Sequence, residues 1–390
     1  MPFSRRDFLT LSTTGIALTL GGRAAMAESK EVVLGASIPL SGPGATTGIT
    51  TQRTIEHALE LINKDGIQIG PDRYTMRAQF YDNKYVPAEA VTVVEKMLAE
   101  GVRYVVSLGS GNSVPVVGKT TALKALQLSL ASGKDHLTAP QFPLSFRTSP
   151  TNETAYAVYP WLRSTYPDMK RSGHMNPSDE AGFTESEDRR KLAEKAGFNI
   201  VANEYFKRGS TDFYPVATRM VAANPEIIDF GGTIGRDQGL GCKALRELGY
   251  KGLVMLGYSD AKSFVEIAGP DAAEGTLMFD TLAEAQTPKQ KELWDWWVAK
   301  YGPPFPSFAF AVYDTPFMLA EAMRKAQSVD TEKVATALRA LRWDGIYGEM
   351  RFGMKSVYGH DCSMVRQIPM AVIKGGKPVP LTMIPWPADV

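Results

Sequence analysis

The sequence predicts an α/β protein of two doubly wound lobes with parallel sheets, and three observations carry that expectation. Strand-like apolar segments alternate with segments whose apolar residues recur at helical spacing. Such alternation builds parallel strands joined by crossover helices, a sheet covered on both faces. The alternation restarts after Arg147-Thr148-Ser149-Pro150, and a chain of 390 residues is too long for one core. Two lobes whose strand ends frame one cleft are therefore expected, because ligands of such sheets sit beyond the carboxyl ends of the strands.

The first 27 residues read as an export signal. Ser4-Arg5-Arg6-Asp7-Phe8-Leu9 is a twin-arginine pattern, an uncharged run follows from Leu9 to Leu20, and Ala25-Met26-Ala27 is a small-residue cleavage site. The run is shorter than the ~20 residues that span a bilayer. The expected product is a periplasmic chain beginning near Glu28. Residues 1 to 27 carry three Arg and one Asp, so cleavage takes the formal charge from +1 to −1. A near-neutral chain offers no footprint for nucleic acid or an anionic membrane.

In the first half, Val32 to Ile38 reads as a strand. Ile55, Ala58, Leu59 and Ile62 mark a helix stopped by Gly66, and Met76, Ala78 and Phe80 alternate as a strand. Val91, Val94 and Leu98 mark the next helix, and Val102 to Leu108 the next strand. In the second half, Thr184-Glu185-Ser186-Glu187 has the form of a capping box opening a helix that runs to Gly197. Asn199 to Tyr205, Ile227 to Phe230 and Leu253 to Leu256 read as strands, with a helix face of Phe213, Val216, Ala217 and Met220 between the first two. From Gly275 onward come a strand, three helices and short strands near residues 347–352 and 365–373. Trp294 and Trp297 share a helix face and are expected in the core. Met169 to Pro177 should be a strand by position yet is polar, which fits an edge or a locally reshaped strand.

No metal-ligand spacing links the four His (57, 136, 174 and 360) with one another or with Cys242 and Cys362, so neither metal nor cofactor is expected. His57 reads as a surface or edge residue. Neither cysteine lies near the cleavage site; a disulfide between them and two buried free thiols are both open. No G-x-S-x-G elbow is present, and the chain is not expected to be an enzyme.

The segment Val106 to Ala122, VSLGSGNSVPVVGKTTA, ends like a phosphate-binding loop. The glycine such a loop needs falls at Ser113, and Pro115 removes one of the N–H donors of the cradle. Pro115 fits instead as the first-turn proline of a helix capped by Asn112 or Ser113. The turn from Gly109 to Ser113 still offers N–H and hydroxyl donors, which suit an anion other than a nucleotide.

The runs LGASIPLSGPGATTG, SLGSGNSVPVV, LASGKDHLT with FRTSPTNETAY, and AVYDTPFMLAEAMRKA, in that order over nearly all of the chain after residue 27, resemble the leucine/isoleucine/valine-binding type of periplasmic solute-binding protein. The resemblance implies the type I architecture, two α/β lobes joined by three hinge crossovers around a ligand cleft. It places lobe one at 28–147 and 281–350, and lobe two at 148–280 and 351–390. It implies that a ligand carboxylate is held by Ser110 and Gly111 of the glycine-rich turn and by Ala131, Ser132 and Gly133 of the next loop. Uncharged N–H and O–H donors can hold an anion by charge-assisted bonds. The chain departs from the family at the cleft: Thr47 and Thr233 stand where aromatics are usual, Gly133 where a threonine is, and Ser259, beside Asp260, where a glutamate holds the ligand ammonium. A roomier pocket follows. A buried ammonium without a partner is costly, so amine-free carboxylates join amino acids as candidate ligands. The resemblance further implies an ABC permease as partner and a monomeric protein; a periplasmic sensor that presents its closed form to a receptor is the alternative.

Overall fold

The computed structural model describes residues 30–132, 137–233, 235–257 and 261–387. The export signal lies outside them, as do Gly133 and Asp260. In chain order the strands are β1 (Lys30–Ile38), β2 (Ile67–Ile69), β3 (Asp72–Asp82), β4 (Tyr104–Leu108), β5 (Leu126–Leu130), β6 (Ser145–Arg147), β7 (Arg171–Pro177) and β8 (Asn199–Phe206). They continue with β9 (Ile227–Asp229), β10 (Leu253–Gly257), β11 (Leu277–Phe279), β12 (Trp343–Gly345), β13 (Gly348–Gly353), β14 (Ser363–Val365), β15 (Ile368–Lys374) and β16 (Lys377–Ile384).

Among the described residues these strands form two sheets, one ordered β12-β13-β14-β6-β5-β4-β1-β3-β2 and the other β16-β15-β11-β10-β9-β7-β8. Both centres are parallel: β1 pairs with β3 and β4, and β9 with β7 and β10. Antiparallel strands close the edges, as in β2 against β3 and β15 against β16. The chain changes sheet three times, between β6 and β7, between β11 and β12, and between β14 and β15. The division expected at 350 falls inside β13.

Each sheet is covered on both faces. The main core of the first packs the alternate side chains of β1 (Val32, Leu34, Ala36, Ile38) against Ile55, Leu59 and Ile62 of the helix Ala45–Asp65 and against the helix Phe308–Ala326. Val94, Met97 and Leu98 of the helix Pro87–Ala99 cover the opposite face. Trp297 is buried in the main core, and Trp294 stacks on Phe305 with ring centres 4.5 Å apart, in the core as the helix pattern predicts. His57 is not a surface residue: it is buried and stacked 3.7 Å from Trp296, and loss of solvation lowers its pKa. Both cysteines are free and buried, Cys242 in the second lobe and Cys362 just ahead of β14, and burial pushes their thiols up to about 11 and about 12. Among the described residues no helix is long and apolar enough to cross a membrane, and no cluster of His, Cys, Asp and Glu has the grouping of a metal site.

Candidate functional site

β4 ends at Leu108, and the chain turns at Gly109, whose φ of 86° suits glycine. Three short helical turns follow, Ser110–Ser113, Val114–Val116 and Val117–Ala122. The first begins at Ser110 with Gly109 at its N-cap; Ser113 holds the N-cap position of the second, with Pro115 in its opening turn as expected but no side-chain capping bond, and Asn112 donates to the Leu108 carbonyl. Lys119 points away from the turn and pairs with Glu95.

Ser110 is buried, and its Oγ accepts the Ser132 backbone N–H at 3.0 Å, which ties the two expected cradle segments together. The neighbouring Ala131 carbonyl accepts from Arg147 Nε at 2.9 Å. Beneath them, Gln127 Nε2 donates to Ser107 Oγ, Ser129 Oγ and the Ser113 carbonyl, a buried hydrogen-bond set that fixes the ends of β4 and β5. Gly111 is exposed and Thr47 is half-buried in the first turn of Ala45–Asp65.

The loop before Thr47 is held by Asp82, which accepts the N–H groups of Leu40, Ser41 and Lys84 and the Ser41 hydroxyl; those bonds hold its carboxyl low although burial acts to raise it. Immediately after Lys84, itself left-handed, lies an aromatic that sequence reasoning missed. Tyr85, with φ 59°, lays its ring where a side chain on Gly109 or Gly44 would stand. An aromatic thus reaches the cleft from the loop after β3, while Thr47 stays small.

The second lobe meets this edge with the helix Glu180–Lys195. Asp179 caps it by accepting the Gly182 N–H at 3.0 Å, so the helix starts before the expected capping box and Glu185 lies one turn inside. Asp179 also pairs with Arg208, which donates to the Gly232 carbonyl. Glu185 is 1% exposed, and its Oε1 accepts the Ser132 hydroxyl at 2.9 Å, a bond that joins the lobes. The Gly231-Gly232-Thr233 turn packs on the same helix: a Cβ on Gly232 would stand 2.9 Å from Gly182 Cα and 3.2 Å from Glu185 Cβ. Thr233 is buried, with its hydroxyl donated to the Met175 carbonyl. The structure thus brings Ser110, Ala131 and Ser132 together, faces them with Glu185, and sets Thr233 beside it.

The polar character of β7 has its reason here. The strand is not at the edge but between β8 and β9, with a register shift between Ser172 and Gly173. Its alternate residues Ser172, His174 and Asn176 are buried on one face. Asn176 Oδ1 accepts the Gly232 N–H, and His174 lies near Tyr159, whose hydroxyl donates to Asp229. Arg189 Nε donates to the same Asp229 oxygen at 2.7 Å, with neither residue exposed. Burial lowers the His174 pKa to about 4, which keeps it neutral.

A second ion pair sits at the crossovers. Arg147, at the end of β6, is fully buried and bonds Glu153, Thr151, Asn152 and the Ala131 carbonyl. Glu153 in turn accepts from Tyr358 at 2.6 Å, ahead of β14, and from Ser363 at 3.0 Å, the first residue of β14. Burial alone would raise the Glu153 carboxyl; Arg147 outweighs it and holds it below the usual range. Away from the cradle, a mostly apolar cavity of 630 Å³ opens between the lobes, walled by Ala261, Val265, Leu282, Trp294 and Phe305.

A family model described as "Periplasmic binding protein" matches residues 31–377. A leucine-, isoleucine-, valine-, threonine- and alanine-binding protein of Pseudomonas aeruginosa is 26% identical over 348 residues, covering 88% of this chain and 92% of its own. A Leu/Ile/Val-binding protein of Escherichia coli is 26% identical over 344 residues, 87% of this chain and 90% of its own. Among solved structures, a leucine binding protein from Thermotoga maritima shares the fold with a TM-score of 0.77 at 20% identity, over 92% of this chain and all of that one. With two doubly wound lobes, three crossings and a family match from the first strand into the last, the chain belongs to the periplasmic binding protein family.

Proposed function

We propose that the protein is the extracytoplasmic solute-binding component of an ABC importer, closing its lobes on a small carboxylate and, by analogy with the ligands named for its relatives, on an amino acid. The observation that carries this reading is the seat formed by Ser110 and Ser132 on one lobe with Glu185 of the other against it. N–H and O–H donors there suit a carboxylate, and a partner on each lobe makes closure depend on what lies between them. Gly111, Gly133, Thr47, Thr233 and Asp260 complete the proposed lining. Lobe one comprises 28–147 and 281–350 and lobe two the rest; the strand pairing favours moving the last division to the link between Val365 and Ile368. The chain is exported by the twin-arginine route, works in the periplasm as a monomer, and presents its closed form to a permease. A receptor in place of the permease is the second reading, which a pull-down with permease subunits separates from the first.

Thermal-shift screening against branched and aromatic amino acids and their amine-free counterparts tests the ligand class, since a bound solute raises the melting point by mass action. Ser110→Ala is expected to weaken the best ligand by about 1–3 kcal/mol through loss of a charge-assisted bond. Unchanged affinity in that variant removes Ser110 from the seat.

A further inference from the structure

The proposed reading of the cleft leaves the charge of its second wall to be explained. Glu185 is 1% exposed, and one of its oxygens, Oε1, is taken by the Ser132 hydroxyl. The other, Oε2, has no hydrogen-bond partner. A buried carboxylate oxygen left unpaired is costly, and each buried cation near it already has an anion of its own. Arg189, one turn further along the same helix, gives its Nε to Asp229 and Nη1 to Thr154, while its Nη2 bonds no acceptor. Arg147 and Glu153, from the crossover, pair with each other, and Glu153 has Tyr358 and Ser363 besides. Two buried cations therefore meet two buried anions, and Glu185 remains as the unmatched negative group.

Its position gives that group a use. The Ser132 side chain bonds Glu185 while the Ser132 N–H bonds Ser110, so the glutamate stands one residue from the carboxylate seat. An amino acid carries its ammonium on the carbon next to its carboxylate, which is the spacing a seat and a neighbouring anion require.

We propose that Glu185 is the specificity-determining residue of the cleft, its Oε2 accepting the ammonium group of an amino-acid ligand whose carboxylate is held at Ser110 and Ser132. The inference rests on the carboxylate reading of the site and adds the group that would hold the ligand's ammonium. It moves the ammonium partner from the loop at Ser259 and Asp260 to the helix Glu180–Lys195.

A proton signature accompanies it. Burial raises the Glu185 carboxyl to about 7, against the lowering effect of Arg189 and the Ser132 hydrogen bond, with a further raising effect from Glu153 and a lowering one from Arg147. Below that pH the free protein carries a proton on Glu185, and an ammonium ligand must displace it. Amino-acid affinity therefore falls as pH drops from 8 to 6, by up to tenfold per unit below 7. An amine-free acid has the opposite dependence, since protonated Glu185 no longer repels it.

The test is calorimetric titration of wild type and Glu185→Gln with leucine and phenylalanine, and with 4-methylpentanoate and 3-phenylpropanoate, at pH 6 and 8 in two buffers of different ionisation enthalpy. The expected result is amino-acid binding with proton release near pH 7 in wild type. In Glu185→Gln the amino acids lose 30-fold or more and the pH dependence disappears. Proton release is read on wild type, so the outcome stands even if the variant folds poorly. Amino-acid binding by Glu185→Gln at wild-type strength overturns the assignment. Binding of the amine-free acids alone, with proton uptake, also overturns it but leaves the carboxylate seat intact. If none of the four binds, the seat itself is refuted, and the assignment with it.

Discussion

Arg147→Met is expected to cost about 3–5 kcal/mol, the scale on which a buried charge left without its partner destabilises a fold. Arg147 and Glu153 are both buried, and the pair ties β6 and its following turn to Tyr358 and Ser363. Removing the guanidinium leaves the Glu153 carboxylate buried with only neutral donors, the Tyr358 and Ser363 hydroxyls and the Thr151 N–H. Glu153→Gln in the same background removes that charge, and the double variant is expected to recover part of the loss. The pH dependence has a definite sign. In wild type the Glu153 pKa is held low, so its contribution is present at neutral pH and disappears as pH falls through the folded value. Without Arg147 burial raises that pKa, the variant gains a proton earlier, and its deficit is smaller at pH 5 than at pH 8. Chemical denaturation of the four proteins at both pH values checks the prediction; an equal deficit at both means that Glu153 does not carry the effect.

Gly182→Ala is the second large effect expected. A Cβ there would stand 2.0 Å from the Pro177 carbonyl oxygen, a backbone atom that cannot swing aside. The helix Glu180–Lys195 must then lift from the end of β7, which also strains the Asp179 bond to the Gly182 N–H. A loss of about 2–3 kcal/mol follows from overpacking of this kind. The same displacement carries Glu185 away from Ser132, so ligand affinity should fall along with the melting point. Gly118→Ala, where a Cβ meets nothing within 4 Å, is the control expected to change neither. A Gly182→Ala protein with wild-type melting point and affinity contradicts the close approach.

Much of the architecture was legible in the sequence because both sheets are built from strands covered on two faces, and such strands read as apolar runs. Leu253 to Leu256 and Ile227 to Phe230 are of that kind. The helix faces at Ile55–Ile62 and Phe213–Met220 were equally plain, since periodicity survives whatever the helix packs against. β7 did not read as an interior strand because its buried face carries Ser172, His174 and Asn176, which bond each other or the Gly232 N–H beside the Tyr159 ring, instead of apolar side chains. The start of the next helix was misplaced for a related reason. Thr184 and Glu187 have the spacing of a capping box, but Asp179 stands nearer the strand and takes the role. Once that helix begins at Glu180, Glu185 turns inward, a change of side that no local pattern records.

At the cleft, the serines were legible from their glycine-rich surroundings, and Glu185 and Tyr85 were not. Glu185 sits among Glu180, Glu187 and Asp188 in a stretch that reads as a solvated face. Tyr85 reaches Gly109 only because the chain takes left-handed turns at Lys84 and Tyr85. His57 was misread by the same route, as its apolar cover comes from Trp296, far along the chain.

The bond from Arg147 to the Ala131 carbonyl places the proposed carboxylate seat and the first crossover in one rigid piece. In kinetic terms, a solute would dock first on a surface already assembled, and the second lobe would arrive afterwards. Association rates should then be set by lobe one and change little when Glu185 or Arg208 is altered, whereas residence time should shorten sharply. Stopped-flow traces that showed the reverse, slower capture with unchanged escape, would mean that the seat is assembled only as the lobes meet.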